Sequence, residues 1–251
     1  MGNKMSIDIS LEAVREQAKE IKSILGMESY PVGVRFPADG IRPIGAVSLT
    51  GHRYCQALMK ARHGNDVVLD AGGIACPAAA RAFGFKPLPE ALGSGKGLVG
   101  FGIVSDPEIG KAMFRGMSRL AEGEIEYVHL FPLEKAAFKP DVVVMEDEVE
   151  KLMWIMLAYM HVTGGARVKS DTAVLQATCV DATIIPYKEQ RLNASYGCYG
   201  CREATDIGQN ETILGFPAKY LEPIAGHVKF LAEKAIGKSR GKDVFKRVEK
   251  L

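Results

Sequence analysis

The run Lys139-Pro-Asp-Val-Val-Val-Met145 constrains the fold more than any other stretch of the sequence. It places four consecutive apolar residues, rich in β-branched side chains, directly after a proline and an aspartate. Such a run, without polar alternation, is typical of a strand buried within a sheet. A sheet of this kind buries its apolar surface by packing against helices. We therefore expect a central sheet that is covered by helices.

Apolar residues at three-to-four spacing predict a helix near each end of the chain. The first helix begins after the N-cap Ser10 and ends before Gly26, with apolar positions Leu11, Val14, Ala18, Ile21 and Leu25. The last has apolar positions Leu221, Ile224, Val228, Leu231 and Ala235. Another helix is predicted after the buried strand, from Glu146 to Tyr159. Because strands and helices alternate, the prediction is one α/β (or α+β) domain over residues 1–251, with a mixed β-sheet covered by helices.

A glycine-rich segment over residues 93–102 contains a formal Gly-x-Gly-x-x-Gly pattern at Gly95, Gly97 and Gly100. A dinucleotide site would require a strand before this pattern and a helix directly after it. Prolines precede it instead, so a flexible loop or a glycine-rich strand edge is favoured. This loop is the one place where a minor domain boundary is expected.

The net charge and the hydropathy pattern limit the classes of partner that the chain is expected to bind. The formal net charge is +2, which does not favour nucleic acid as a partner. The segment Met1 to Asp8 has no apolar core, and no later run reaches the length of a membrane span. We expect a cytoplasmic protein that binds neither nucleic acid nor a membrane.

The segment Tyr196-Gly-Cys-Tyr-Gly-Cys-Arg202 carries the strongest functional signal. It places Cys198 and Cys201 three residues apart in a turn with two glycines, so both thiolates could bind one metal centre. Its amide groups could also point at an anionic centre. Cys-x-x-Cys pairs occur as well in redox dithiols and in cores, so the motif alone leaves these alternatives open.

Three further cysteines, Cys55, Cys76 and Cys179, are spread over the chain. Cys55 is expected in the first turn of a helix, and Cys76 at the start of another, with Pro77 in its first turn. Cys179 stands in an apolar context that also suits a small buried side chain. An odd number of cysteines without a secretory signal makes a disulfide framework unlikely and favours reduced thiols.

The cysteine spacing does not match a zinc finger, because Cys76 and Cys179 are separated by 102 residues. Wide separation suggests that distant turns of one fold meet at a single centre. Four thiolates would complete a four-iron four-sulfur cluster and leave one cysteine spare.

Several segments together resemble the domain-of-unknown-function family numbered 169, a set of archaeal and anaerobic bacterial proteins without an assigned reaction. They are Tyr54-Cys-Gln-Ala-Leu58, Ala75-Cys-Pro-Ala78, Phe131-Pro-Leu-Glu134, Pro140-Asp-Val-Val143, the cysteine at 179 and Gly197-Cys-Tyr-Gly-Cys-Arg202. The resemblance spans the chain from about Pro31 to the last helix.

The turn of that family has the pattern Gly-Cys-x-Gly-x-Arg, which matches Cys198 and Arg202, whereas the position of Cys201 is often another residue. The resemblance thus implies Cys55, Cys76, Cys179 and Cys198 as the ligand set. Cys201 departs from the pattern and is an alternate ligand, a redox partner of Cys198 or a passenger.

The leading hypothesis is an iron–sulfur protein that carries electrons or binds a small anion, with Arg202 tuning the charge of the cluster or holding the anion. The alternatives are a structural zinc site in a ligand-binding or interaction module, and thiol redox chemistry by Cys198 and Cys201. The expected partners are a redox protein or a small anionic ligand, and the chain could form a homodimer. The sequence assigns no reaction.

Overall fold

The computed structural model describes residues 10–37 and 40–238. The segment Met1–Asp8, whose sequence has no apolar core, lies outside the described residues. Within the described residues the strands are β1 Val32–Arg35, β2 Val47–Ser48, β3 Val67–Asp70, β4 Tyr127–Pro132, β5 Val142–Glu148, β6 Asn193–Ser195 and β7 Glu211–Pro217. They form one sheet in the order β2-β3-β4-β1-β5-β7-β6. Neighbouring strands are antiparallel except β2 and β3, which are parallel. The predicted mixed sheet is confirmed.

The helices supply the two layers that cover this sheet. They are α1 Leu11–Leu25, α2 Tyr54–Arg62, α3 Pro77–Ala82, α4 Glu90–Gly93, α5 Lys96–Gly100, α6 Pro107–Arg115, α7 Val149–Val162, α8 Ile185–Glu189, α9 Tyr199–Ala204 and α10 Leu221–Lys234. A π-helix spans Ala177–Ile184, and short 3₁₀ turns span Leu133–Lys135, Ala218–Tyr220 and Ile236–Lys238. Both terminal helices were predicted. Ser10 caps α1 by accepting a hydrogen bond from the amide of Ala13, and Gly26 ends it in the left-handed conformation.

The predicted buried strand is β5, and it extends three residues beyond Met145 to Glu148. The helix after the buried strand is present, but its predicted start at Glu146 was wrong, because Glu146 and Asp147 continue the pairing with β7. The helix begins at Val149 instead. Acidic residues next to an apolar run resemble a helix start in sequence, but here they lie at the end of a long strand.

Alternating residues of the sheet face two separate hydrophobic clusters. Val142 and Val144 point toward one cluster, which includes residues of α2, α3, α8 and the π-helix. Val143 and Met145 point toward the other, which is formed with α1, α7 and α10. Cys179 belongs to the first cluster and Cys76 packs against it. Cys55, Cys198 and Cys201 form a separate small cluster with Ala177.

The glycine-rich segment is not a loop. It forms α4 and α5, which pack against α6. Gly95 has φ of +79°, and a Cβ at this position would lie 1.9 Å from the carbonyl oxygen of Pro107. Gly95 therefore permits close packing of α5 against α6. The dense glycine spacing had favoured a loop or a strand edge instead of these helices. Leu98 of α5 belongs to the same hydrophobic cluster as Val142 and Val144 of β5.

Among the described residues, no helix combines the length and the apolar character that crossing a membrane requires.

A second glycine, Gly215 in β7, lets the π-helix lie directly on the sheet. A Cβ at Gly215 would lie 1.8 Å from the carbonyl oxygen of Ala182.

We expect Gly215→Ala to lower the free energy of unfolding by about 1–3 kcal/mol, because the backbone of the π-helix must move. Urea denaturation measures this value. Gly226→Ala in α10 is the matched control, since a Cβ added there would have no neighbouring atom within 4 Å; equal losses in both variants would contradict the proposed contact.

A buried ion triad gives a pH-dependent stability. Arg62 lies between Glu146, at 3.4 Å, and Glu211, at 2.6 Å. Burial raises the pKa of Glu146 from 4.5 to about 7, although Arg62 opposes the rise. The folded state therefore binds more protons than the unfolded state between these values, and stability contributed by the neutral carboxyl is lost as pH rises through about 7.

We expect Glu146→Gln to flatten the fall in unfolding free energy between pH 5 and 7.5, because glutamine does not titrate. Urea denaturation of both proteins across this range measures the difference. Parallel pH profiles for the two proteins would show that Glu146 does not carry this dependence.

Candidate metal centre

All five cysteines line a single cavity of about 510 Å³. They come from four separate places in the fold: the first turn of α2, the start of α3, the π-helix and the start of α9. Cys55, Cys179, Cys198 and Cys201 are buried, and Cys76 is partly exposed. The fold therefore brings together thiols that are far apart in the sequence.

A parallel backbone bridge between His52 and Ile74 holds the Cys55 and Cys76 segments side by side. The amide of His52 donates to the carbonyl of Gly73 at 3.2 Å, and the amide of Ala75 donates to the carbonyl of His52 at 2.8 Å. Cys55 follows in the first turn of α2, and Cys76 is the N-cap of α3 with Pro77 after it. Both predicted helix starts are confirmed.

Cys198 and Cys201 are held by one short turn. Cys198 is the N-cap of α9, and its sulfur accepts a hydrogen bond from the amide of Cys201 at 3.2 Å. The two Sγ atoms are 2.8 Å apart. Gly197 precedes them with φ of +80°, a conformation that favours glycine and that turns both side chains inward.

Two polar side chains join α2 to this turn. Nη1 of Arg53 donates to the carbonyl of Gly200 at 3.0 Å, and Nε2 of Gln56 donates to the carbonyl of Ala204 at 3.2 Å. These bonds set Cys55 against Cys201, and the two thiols are within hydrogen-bond reach of each other.

Cys179 reaches the cavity from the π-helix. Its thiol donates to the carbonyl of Gln176 at 3.6 Å, and the hydroxyl of the neighbouring Thr178 lies 3.1 Å from Sγ of Cys201. Gln176 and Val174 before it have positive φ, 58° and 49°, which is strained for side chains other than glycine. Wide helical turns and strained residues of this kind concentrate at functional sites.

The environment of Cys179, Cys198 and Cys201 favours their protonated form. The contact with Cys201 raises the pKa of Cys198, and burial adds to the rise. The hydrogen bond with Cys198 lowers the pKa of Cys201, but Cys55 and burial outweigh it and raise that pKa to about 12. Burial raises the pKa of Cys179 well above its ordinary value, and the nearby thiols act in the same direction. Binding of a metal at these thiols would therefore release protons.

The rest of the cavity wall is mainly apolar. Leu92, Leu98, Phe101, Ile103 and Phe114, contributed by residues 92–114, face the thiols. Of the described residues that line the cavity, Arg53 is the one cation and Glu203 the one carboxylate. Arg53 could not be identified from the sequence, because an arginine two residues before a cysteine forms no recognised motif. The π-helix was also missed, because the sequence of this segment has no periodicity that indicates one.

Arg202 does not line the cavity. Its guanidinium donates to the carbonyls of Tyr196, Gly208 and Glu211. This arrangement makes Arg202 a clamp for the turn that carries Cys198 and Cys201. Its role as an anion ligand stays a prediction, and the geometry offers Arg53 in that place.

In the part of the chain that the structure describes, no three His, Cys, Asp or Glu side chains already stand within reach of one metal ion.

The fold and the shared cavity define a helix-covered mixed-sheet protein with five clustered thiols. The chain belongs to the domain-of-unknown-function family numbered 169, described as an uncharacterised ArCR, whose family profile matches residues 20–227. The resemblance seen in the sequence is thereby confirmed. No curated protein and no solved structure matches the chain.

The carbonyl clamp of Arg202 predicts a local loss of order on substitution. We expect Arg202→Ala to weaken the segment 196–211 by about 1–3 kcal/mol, because three carbonyls lose their donor. Hydrogen exchange should speed up in this segment and remain unchanged in α1. Arg167→Ala, at an exposed position, is the control for loss of charge; unaltered exchange over 196–211 in Arg202→Ala would refute the clamp.

Proposed function

We propose that this chain is an iron–sulfur protein in which Cys55, Cys76, Cys179 and Cys198 hold a four-iron four-sulfur cluster. Cys201, which contacts both Cys55 and Cys198, is the alternate ligand. The observation that carries the proposal is that thiols from four distant segments line one cavity. Core packing alone gives no reason for all the cysteines of a chain to meet.

The donor set and the cavity fit such a cluster. Thiolates are the ligands that iron–sulfur clusters use, and four of them complete one cubane. Each ligand binds a different iron, so the thiols need not converge on one ion. Small residues such as Ala75, Ala78 and Gly97 line the same space and keep it open. The donor types and the size of the cavity thus support the proposal.

The wall of the cavity bears on what the cluster would do. When bound, the cluster supplies one-electron redox chemistry, and an apolar surrounding with few charges helps to set its potential. The apolar side chains of residues 92–114 line the cavity beside the thiols. Electron transfer with a protein partner is thus the favoured activity. Binding of a small anion is the other use, and Arg53 is the side chain that would receive it.

Anaerobic reconstitution with iron and sulfide tests the proposal. We expect a brown protein with about four iron and four acid-labile sulfide per chain, because four thiolates complete one cubane. Visible absorption, metal analysis and sulfide assay measure this. A colourless protein without labile sulfide would refute the proposal, and zinc alone in the metal analysis would favour a structural zinc site.

Single substitutions identify the ligands. Cys55→Ser, Cys76→Ser, Cys179→Ser and Cys198→Ser should each lose most of the cluster, because each removes one ligand. Cys201→Ser should retain it and serves as the matched control at the same turn. Loss of the cluster in Cys201→Ser, with retention in one of the other four variants, would exchange Cys201 for that cysteine in the ligand set.

The 2.8 Å contact between Cys198 and Cys201 supports a second candidate, a redox dithiol. In that reaction the two thiols would form a disulfide, while a disulfide of a partner protein takes up the two electrons and two protons and is reduced. Cys201→Ser separates the candidates: it abolishes reduction of a disulfide substrate but spares the cluster.

A further inference from the structure

A second concavity, of about 290 Å³, is lined by four basic residues and lies beside α6. The basic residues are Arg81, Lys111, Arg115 and Arg119. The other side chains that line it are apolar: Leu88, Phe114 and Met117. None of the described residues that line it is acidic. We refer to it as the basic concavity.

The fold brings these cations together from three places. Arg81 is in the last turn of α3, and Lys111 and Arg115 are one turn apart on α6. Arg119 follows α6 in a segment that is fixed to α3, because the amide of Leu120 donates to the carbonyl of Ala82 at 2.8 Å. The concavity is thus built from packed elements.

The charges are largely uncompensated. Lys111 pairs with Glu108 at 3.2 Å on the surface. Within residues 10–37 and 40–238, the guanidinium groups of Arg81, Arg115 and Arg119 have no hydrogen bond or ion pair. Arg81 and Arg115 each interact favourably with the carboxyl end of their own helix. That effect explains each position alone, but like charges that face one concavity repel each other.

We propose that the basic concavity binds a small phosphate-bearing molecule. Guanidinium groups donate in a planar fork that matches the oxygens of phosphate, and several of them can share one polyanion. The size suits a small ligand head group. Leu88, Phe114 and Met117 offer an apolar surface for an organic part beside the phosphates. This inference stands on its own and does not depend on the iron–sulfur cluster.

The alternative is a solvated basic surface without a ligand. The two differ in one respect: a site binds with a fixed stoichiometry through particular arginines, whereas a basic surface responds only to net charge.

Calorimetric titration of the full chain with pyrophosphate tests the proposal, and ADP provides a second arm. We expect saturable binding of one pyrophosphate per chain at low ionic strength. The double variant Arg115→Ala/Arg119→Ala should bind at least tenfold more weakly, because two donors are lost. Tighter binding of ADP than of pyrophosphate would assign the apolar surface to an organic group, and equal affinity would assign the site to the phosphates alone.

The matched control is Lys60→Ala/Arg167→Ala, which removes the same charge from exposed positions elsewhere. We expect it to bind pyrophosphate as the unaltered chain does. Absence of saturable binding, or equal weakening in both double variants, would overturn the proposal. Circular dichroism confirms that each variant is folded, and Arg81→Lys, which keeps the charge but loses the fork, should also weaken binding.

Discussion

The start of α2 is the constraint on which the rest of the site depends. Four consecutive residues there face three different parts of the fold: α9, the π-helix and the cavity. Arg53 donates to Gly200, and Gln56 donates to Ala204, so both hold α9. The hydroxyl of Tyr54 lies 3.0 Å from the hydroxyl of Thr183 in the π-helix. Cys55 stands between these contacts with its thiol in the cavity. If this turn shifted, the thiols of two other elements would move with it.

The sheet beneath this turn provides a rigid base. Thr183 also donates to the carbonyl of Thr178, which fixes the wide turns of the π-helix around Cys179. Gly215 lets the backbone of the π-helix lie against β7 without an intervening side chain. Because packed interiors deform little, a helix that is fixed on both sides keeps its thiol in one position. The position of the Cys179 thiol is thus a consequence of packing, without any contribution from the thiol itself.

The features that could be predicted from the sequence are those with a local signal. The buried run before Met145, the capped first helix and the helix starts at Cys55 and Cys76 all depend on neighbours in the chain. The end of β5 was misjudged, because Glu146 continues the pairing with β7 and contacts Arg62, a partner 84 residues away. The helices over residues 90–100 were missed for a similar reason. Gly95 allows close contact with α6, and this contact is visible only in the folded structure. The convergence of the thiols was predicted from their wide spacing, whereas the roles of Arg53 and Arg202 follow from contacts across the fold.

The two concavities share parts of the same elements, and this bears on how charge at one is felt at the other. α3 begins at Pro77, directly after its N-cap Cys76, and contains Arg81 in its last turn, so a helix of roughly 9 Å lies between the thiol site and the basic concavity. Phe114 lines both. At that separation a unit charge contributes at most about 1–2 kcal/mol, and solvent reduces this because Arg81 is partly exposed. A change of charge at one concavity would therefore be felt weakly at the other, without any movement of the backbone.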